Sequence, residues 1–301
     1  MARKGCTNEM SYRSRDRIFQ AVNAILLGII SLITFFPLYY VFVVSFTEPS
    51  AYRSSELQLF PKAWSLDSYK YLMSTNAFLN ATGNSVFLAL VGTALSLLIT
   101  SCLAYAISRK RLLGRKIIML LILLTTLFNP GIIPPYLLVR DLHLINSIWS
   151  LILPVLTNGW YVLLMKGFFD SIPTSLEEAA RIDGCNDVSV WYRVILPLSL
   201  PSLAAFGLFY AVAYWNTFFT ALLYINEFSK QPLQVLLQNM LIDASTAAGG
   251  SVAAEMMSEQ RIPPETLKMA AVVIATVPIL LVYPFLQKHF AKGAMVGSVK
   301  E

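Results

Sequence analysis

Charge is scarce in this sequence: of its 301 residues, only 13% are Asp, Glu, Lys or Arg. Soluble domains carry about 25%. All four residue types are absent from six long stretches, which cover residues 18–47, 71–108, 117–139, 144–165, 194–226 and 269–287. The length alone would allow two soluble domains. The distribution of charge argues instead for one membrane-embedded unit.

The same stretches also lack histidine in their interiors, since the only two histidines, His143 and His289, lie at their ends. They therefore lack the side chains that relay protons or act in catalysis. Proton-coupled carriers usually place Asp, Glu or His in mid-membrane. A membrane enzyme needs acid–base pairs or a metal cluster. The absence weighs against both classes. The sequence also lacks a G-x-x-x-x-G-K-[ST] phosphate loop, so the energy for any active transport must come from another subunit.

Cysteine is also rare. The three cysteines, Cys6, Cys102 and Cys185, are odd in number and widely spaced. Disulfide frameworks and zinc sites use paired cysteines at short or regular spacings. The sequence therefore predicts neither a disulfide framework nor a metal site.

What the sequence has in abundance is apolar stretches long enough to cross a membrane as helices, which takes about 17–25 residues. A helix satisfies its own backbone in lipid, whereas a membrane strand alternates apolar and polar residues over about 10 positions. We predict an all-α integral membrane protein with a single transmembrane domain over residues 1–301. Its six transmembrane helices are expected at about 22–46, 84–107, 117–139, 145–166, 199–225 and 269–288.

Lys and Arg positions predict the orientation. With the N-terminus in the cytoplasm, the inside segments hold 16 of the 23 basic residues and the outside segments hold 7. The basic segment RKRLLGRK, between the second and third spans, is the clearest case. Both termini are therefore expected in the cytoplasm. The net charge of +6 reflects this asymmetry; nucleic-acid binding is not expected, because the charges abut the spans and form no extended face.

Residues 170–197, between the fourth and fifth spans, form a cytoplasmic segment that reads as two short helices joined by a turn. Ser175 and Glu178 fit a capping box at the start of the first helix. Helical spacing predicts that one narrow face of this helix holds Leu176, Ala179, Ala180 and Asp183. The small side chains would let another surface approach closely.

The turn between the two helices is predicted at Gly184, which fits the left-handed position that ends a helix. Asn186 or Asp187 can then cap the second helix.

This segment resembles a known signature. Glu178-Ala179-Ala180, three residues, Gly184, nine residues and then Val194-Ile195-Leu196-Pro197 is similar to the EAA motif of binding-protein-dependent ABC importer permeases. The usual motif has Ile where this chain has Val194. The likeness extends to FNPGIIPPYLLVRDLHLINSIWSLILP and to the C-terminal tail, which look like carbohydrate permeases of the maltose-system type. The nearest branch transports complex oligosaccharides, including uronate-containing ones.

The resemblance implies a type I ABC importer permease fold in a bacterial cytoplasmic membrane. It implies a transport subunit for a carbohydrate, with an oligosaccharide as the expected cargo, and not an enzyme. ATP and Mg would be bound by the partner ATPase and no cofactor by this chain. The implied partners are a second homologous permease in a heterodimer, two ABC ATPase subunits, an extracytoplasmic solute-binding protein and the lipid bilayer. The residues implied in coupling are Glu178, Ala179, Ala180, Arg181, Asp183, Gly184 and Asn186.

A substrate pathway is predicted on the fifth span. Tyr210, Tyr214 and Thr217 recur at helical spacing on one face. The neighbouring candidates are Trp215 and Asn216 on this span and Asn158 and Tyr161 on the fourth. Aromatic faces stack on sugar rings, and convergent polar groups among apolar walls make a pocket. The same residue types also occur at membrane interfaces and pin helices together, so both interpretations stay open.

The third span is predicted to be broken. Asn129, Pro130, Gly131 and Pro134–Pro135 interrupt its apolar run, and irregular backbone at membrane depth usually lines a cavity or a protein contact.

Three other functions remain as alternatives. The same type of importer could carry a non-sugar solute such as a peptide or an amino acid, because the EAA motif does not separate these cargoes. An autonomous channel or carrier is a different class, and dependence on nucleotide and on obligate partners would distinguish it. A membrane enzyme would need catalytic groups that the sequence does not offer.

Overall fold

The computed structural model of the protein describes residues 5–53, 56–243 and 263–298. Within these ranges the regular structure is helical, apart from an isolated antiparallel bridge between Thr47 and Trp64. The all-α prediction is confirmed for this part of the chain. We number the helices α1 (Gly5–Ser45), α2 (Asp67–Ser74), α3 (Asn76–Ser108), α4 (Arg115–Leu127), α5 (Ile133–Asp141), α6 (Gly159–Asp170), α7 (Thr174–Ile182), α8 (Asp187–Leu198), α9 (Leu200–Trp215), α10 (Phe219–Tyr224), α11 (Leu233–Asp243) and α12 (Pro264–Ser298).

By length and composition, three helical stretches could cross a membrane: Phe19–Ser45 within α1, the whole of α3, and Glu265–Val282 within α12. The number rises to five if each of two bent pairs is one span. One pair is Ile148–Val155 with α6, bent by 52°, and the other is α8 with α9, bent by 86°. The described residues thus give three to five spans, and the count of six stays a prediction.

The predicted break in the third span is confirmed. The apolar run 117–139 contains two helices, α4 and α5, separated by residues 128–132. Gly131 has a positive φ of +79°, and its N–H donates to Asn129 Oδ1 at 2.9 Å. Pro134 lies in the first turn of α5, where a missing N–H costs no hydrogen bond.

The chain forms two compact units. The first contains Met1–Tyr71 and Met257–Val273, and the second contains Leu72–Met256 and Ile274–Glu301. In the first unit, the end of α1 is tied to the loop that follows it. The Tyr39 hydroxyl donates to Leu59 O at 2.6 Å, and the Tyr69 hydroxyl donates to Ser45 Oγ at 2.8 Å.

In the second unit, α3 packs against α6 and α9. α3 and α9 approach each other closely at Gly92, where an added Cβ would lie 2.7 Å from the ring of Tyr214. Only glycine leaves room for that ring, because real Cβ contacts are never so short. A buried cluster surrounds Tyr210 and Tyr214, and a second cluster surrounds Met165 and Phe169. These contacts fix α6 and α9, between which the predicted coupling loop lies.

Candidate functional site

The first helix of loop 170–197, α7, begins differently from the prediction. Pro173 occupies the N-cap with φ −57° and ψ 130°, and no side chain caps the helix. Ser175 therefore lies inside the first turn, and the predicted capping box with Glu178 is wrong. The proline ring fixes φ near −65°, which suits a residue leading into a helix, so the helix starts before Ser175.

The end of α7 confirms the predicted turn. Gly184 has φ +85°. Its N–H donates to Arg181 O at 2.9 Å, and the Cys185 N–H donates to Ala180 O at 3.0 Å. This pair of bonds is the Schellman motif, which satisfies the last carbonyls of a helix. Of the two cap candidates for α8, Asn186 is the cap, because its Oδ1 accepts from the Ser189 N–H at 2.9 Å.

One side of α7 is free within the described chain. Leu176, Glu178, Ala179 and Asp183 are all exposed, and the side chain of Ile182 is 87% exposed. Ala180 is instead half-buried against the cluster around Phe169. The predicted narrow face therefore divides, with Ala180 turned inward and the other three members outward. The exposed side therefore combines apolar side chains with two carboxylates and is open to approach by another protein.

The opposite side of α7 carries Glu177, which the sequence analysis missed. Its side chain is only 11% exposed and forms ion pairs with Arg109 and Arg181. Arg109 belongs to the end of the α3 region, 68 residues earlier. Its Nε also donates to Ser108 Oγ at 2.9 Å, and its guanidinium lies 4.8 Å from the ring centroid of Tyr105.

Asp187, the first residue of α8, extends this set. It pairs with Arg111 and, at 3.1 Å, with Arg181. Arg111 also lies 3.9 Å from the Glu177 carboxylate. We call these five residues the ionic network: Arg109, Arg111, Glu177, Arg181 and Asp187. The network joins the basic segment RKRLLGRK to both helices of loop 170–197. Both segments were predicted to be cytoplasmic and they carry opposite charges, which is the sequence signal that could have indicated this contact.

The predicted pathway tyrosines make bonds between helices. The Tyr210 hydroxyl lies 2.7 Å from Thr100 Oγ1, and the Tyr214 hydroxyl lies 2.9 Å from Ser96 Oγ. Both tyrosines are buried, at 4% and 3% exposure. They hold α9 against α3, and neither hydroxyl points to open space. This geometry fits the helix-pinning interpretation of these two residues.

The other candidates lie in separate places. The half-buried Tyr161 meets Tyr210 edge-on, with ring centroids 5.0 Å apart. Asn158 caps α6 by accepting from the Trp160 N–H at 2.9 Å. The Trp215 Nε1–H donates to Ala275 O at 3.0 Å in the buried interior. The structure thus brings Tyr161 and Tyr210 together and uses Asn158 and Trp215 in local packing.

Asn216 and Thr217 follow the end of α9. Asn216 is exposed and Thr217 half-buried. Asn216 Oδ1 accepts from Gln234 Nε2 at 3.4 Å. Gln234, on α11, was missed by the sequence analysis because it lies outside the six charge-free stretches. These three residues offer polar groups at one place in the second unit.

Comparison with known proteins supplies the family. Residues 105–296 match the family described as the binding-protein-dependent transport system inner membrane component. The chain belongs to this family. The family is a transport component, which agrees with the predicted function class.

Individual relatives extend the likeness over nearly the whole chain. The chain is 45% identical over 286 residues to the polygalacturonan/rhamnogalacturonan transport system permease protein YtcP of Bacillus subtilis, with 95% of this chain and 99% of that protein covered. It is 30% identical to the arabinooligosaccharides transport system permease protein AraQ of Halalkalibacterium halodurans, covering 90% and 93%.

A solved structure is similar as well. The crystal structure of a bacterial ABC transporter involved in the import of the acidic polysaccharide alginate includes a chain that is 33% identical to this one. The TM-score is 0.84, with 92% of this chain and 98% of that chain covered. The fold of this permease is therefore that of the ABC importer permeases.

Proposed function

We propose that this permease is the transmembrane subunit of an ATP-driven importer for a carbohydrate, with an oligosaccharide as cargo. The observation that carries the proposal is α7, a short helix with one exposed side and one side anchored by the buried carboxylate of Glu177. Such a helix is suited to pass movement from a docked partner to the rest of the chain. Membership of the binding-protein-dependent family supports the same function.

Coupling is assigned to the exposed side of α7 and the turn after it. Glu178, Ala179 and Asp183 meet the ATPase subunit, and Gly184 sets the angle at which the helix is presented. Ala180 and Arg181 hold the helix from within, and Asn186 fixes the start of α8. ATP and Mg are bound and hydrolysed by the partner ATPase, so this chain is not an enzyme and binds no cofactor.

The proposed arrangement is a single transmembrane domain of six spans in a bacterial cytoplasmic membrane, with both termini in the cytoplasm. The excess of Lys and Arg in the segments assigned to the inside supports this orientation. The partners are a second homologous permease, two ABC ATPase subunits and an extracytoplasmic solute-binding protein. The family description, which names dependence on a binding protein, supports the last of these.

The carbohydrate assignment is supported by the relatives. Two of them are named for the transport of saccharides, and the alginate importer is described as acting on an acidic polysaccharide. Within this chain, Asn216, Thr217 and Gln234 are the pathway residues we favour for contact with sugar hydroxyls, and Tyr161 is a separate aromatic candidate. Tyr210, Tyr214, Trp215 and Asn158 support the pathway by fixing the helices around it.

The test is purification of the tagged chain from its own host in a mild detergent, followed by mass spectrometry of stoichiometric partners. Recovery of an ATPase and a second permease is expected. The binding protein would then be loaded with oligogalacturonate, a neutral oligosaccharide or a peptide, and ATPase stimulation measured for each. Stimulation by the peptide alone would replace the carbohydrate with a non-sugar cargo, and recovery of the chain alone in several detergents would contradict the importer itself.

A further inference from the structure

A cavity of about 620 Å³ lies between the end of α3 and the start of α8. Its walls include Cys102, Tyr105, Arg111, Leu113 and Trp191. It borders the ionic network, yet none of the coupling residues on α7 lines it. The cavity is therefore distinct from the surface proposed to meet the ATPase.

Two residues that line this cavity each have a buried polar atom with no hydrogen-bond partner among the described residues: the Tyr105 hydroxyl and the Trp191 Nε1. Tyr105 is only 7% exposed. Buried polar groups in proteins are normally paired, so an unpaired one calls for an explanation. The indole N–H can only donate, so the missing group must contain a hydrogen-bond acceptor.

The charge around the cavity favours an anion. Three guanidinium groups, of Arg109, Arg111 and Arg181, surround the two carboxylates of Glu177 and Asp187. One positive charge is left over. Arg111 lines the cavity with a side chain that is 45% exposed, and a guanidinium carries five N–H donors, so it has donors to spare beyond its bonds to Asp187.

Arg109 and Asp187 of the ionic network also line the cavity, and the rest of its wall is largely apolar and includes the end of α3. Cys102 and Ala106 lie on the last turns of the charge-free run that ends at Ser108, and Leu112 and Leu113 follow it. The end of the cavity that carries the unpaired donors thus lies near the end of the charge-free run, where a bilayer places its headgroups. A ligand that fits has an anionic head and an apolar tail.

We propose that this cavity binds one anionic phospholipid. The phosphate of its headgroup accepts from Tyr105, Trp191 and Arg111, and an acyl chain runs along Cys102 and Ala106. A lipid held there would contact the ionic network through Arg111. The site does not depend on which cargo the transporter carries.

The test is native mass spectrometry of the detergent-purified transporter after addition of dioleoyl phosphatidylglycerol and dioleoyl phosphatidylcholine in equal amounts. Wild type is expected to retain phosphatidylglycerol in preference. Tyr105→Phe keeps its ring, and Trp191→Phe keeps a smaller aromatic ring; each deletes an unpaired donor, so each should weaken retention about fivefold. Tyr192→Phe and Trp160→Phe, at exposed positions outside the cavity, are the matched controls and should retain the lipid as wild type does.

Equal retention of the two lipids by wild type would overturn the proposal, and so would wild-type retention in both cavity variants. Competition with inorganic phosphate distinguishes a lipid headgroup from a free phosphate ion as the ligand. A lipid held also by its acyl chain resists displacement by phosphate, whereas displacement by phosphate at the concentration of the lipid would make this a site for a free anion. If either cavity variant is recovered in poor yield, Arg111→Lys offers a second measurement, because it keeps the charge and loses the forked donor geometry.

Discussion

Arg109 and Glu177 form an ion pair between the end of the α3 region and α7, with side chains only 12% and 11% exposed. Because both groups are withdrawn from water, each depends on the other for compensation of its charge. Removing one partner of such a pair costs more than the pair itself contributes, since the other charge is left buried. The position of α7 is therefore tied to α3, which packs against α6 and α9.

The first prediction concerns this pair. Glu177→Gln keeps the shape of the side chain and removes its charge, leaving Arg109 without its main partner. The cost of breaking a buried pair is about 3–5 kcal/mol, so we expect a lower unfolding temperature in detergent and loss of coupled uptake. Thermal unfolding of the detergent-purified transporter measures the first effect, and uptake after reconstitution into vesicles measures the second.

Glu178→Gln is the matched control, because the neighbouring carboxylate is on the exposed side of α7. It should leave the unfolding temperature unchanged and reduce only the response of the ATPase. The exchanged pair Arg109→Glu with Glu177→Arg should recover part of the stability lost in each single variant. Equal thermal stability of Glu177→Gln and wild type would argue against a structural role for the pair.

A second prediction concerns the turn at Gly184. Valine there would be forced into a left-handed conformation, which costs roughly 1–2 kcal/mol for a residue with a Cβ. No atom lies within 4 Å of an added Cβ, so the effect comes from the backbone alone. Gly184→Val should remain in the membrane but hydrolyse ATP without uptake.

Gly114→Val is the control for this strain. Gly114 also has a positive φ, +75°, and open space around its Cβ position, but it precedes α4 and lies outside loop 170–197. It should cost similar stability and leave the ratio of uptake to hydrolysis unchanged. Normal uptake by Gly184→Val would remove the turn from the coupling mechanism.

Features that depend on a single residue or a short segment could be predicted from the sequence, whereas contacts between residues far apart in the chain could not. The turn at Gly184 and the break at Gly131 were predictable because a positive φ is a local property that glycine alone tolerates well. The charge-free stretches likewise predicted helices, since apolar length is visible in the sequence. The start of α7 was missed by a residue or two, as Pro173 and Ser175 both suit a helix entrance.

The ionic network was not predictable in the same way. Arg109 and Glu177 are 68 residues apart, and nothing in either segment specifies the other. Sequence reasoning chose Glu178 from the motif, while the fold buries Glu177 and exposes its neighbour. The hydrogen bonds from Tyr210 and Tyr214 to α3 were equally unpredictable, because a helical face in the sequence does not reveal which helix packs against it.

A third prediction separates pinning from substrate contact at Tyr214. Tyr214→Phe loses the bond to Ser96 but keeps the ring against Gly92. We expect about 1 kcal/mol of lost stability and normal uptake. Tyr214→Ala removes the ring and should lower both stability and uptake. Loss of uptake in Tyr214→Phe at near-normal stability would instead indicate that the Tyr214 hydroxyl contacts substrate.

The close approach at Gly92 gives a fourth prediction. An alanine methyl group there would lie 2.7 Å from the ring of Tyr214, so α3 and α9 must move apart or the ring must leave. Overpacking of this kind typically costs about 1–3 kcal/mol. Gly83→Ala, on the same helix with nothing within 4 Å, should be neutral or slightly stabilising. A similar unfolding temperature for the two variants would contradict the packing of Tyr214 on Gly92.

The last prediction concerns pH and the loop after α10. The Glu227 carboxylate accepts from Lys230 Nζ at 2.7 Å and Ser229 Oγ at 2.6 Å, and from Asn146 Nδ2 at 3.2 Å. These bonds, that of Lys230 first, lower the pKa of Glu227 from 4.5 to about 2. A lowered folded-state pKa adds stability that is fully present above the ordinary pKa and is lost as pH falls toward the folded value.

The stability difference between wild type and Glu227→Gln should therefore be constant from about pH 8 to about pH 5.5 and shrink only as pH falls from about 4.5 toward 2. Thermal unfolding of both proteins across this range measures it. Lys230→Gln removes the largest cause of the shift, so in that background the difference should be smaller at neutral pH and should finish shrinking at a higher pH. A difference that has already vanished at about pH 5.5 would mean that Glu227 is not held in its charged form by these neighbours.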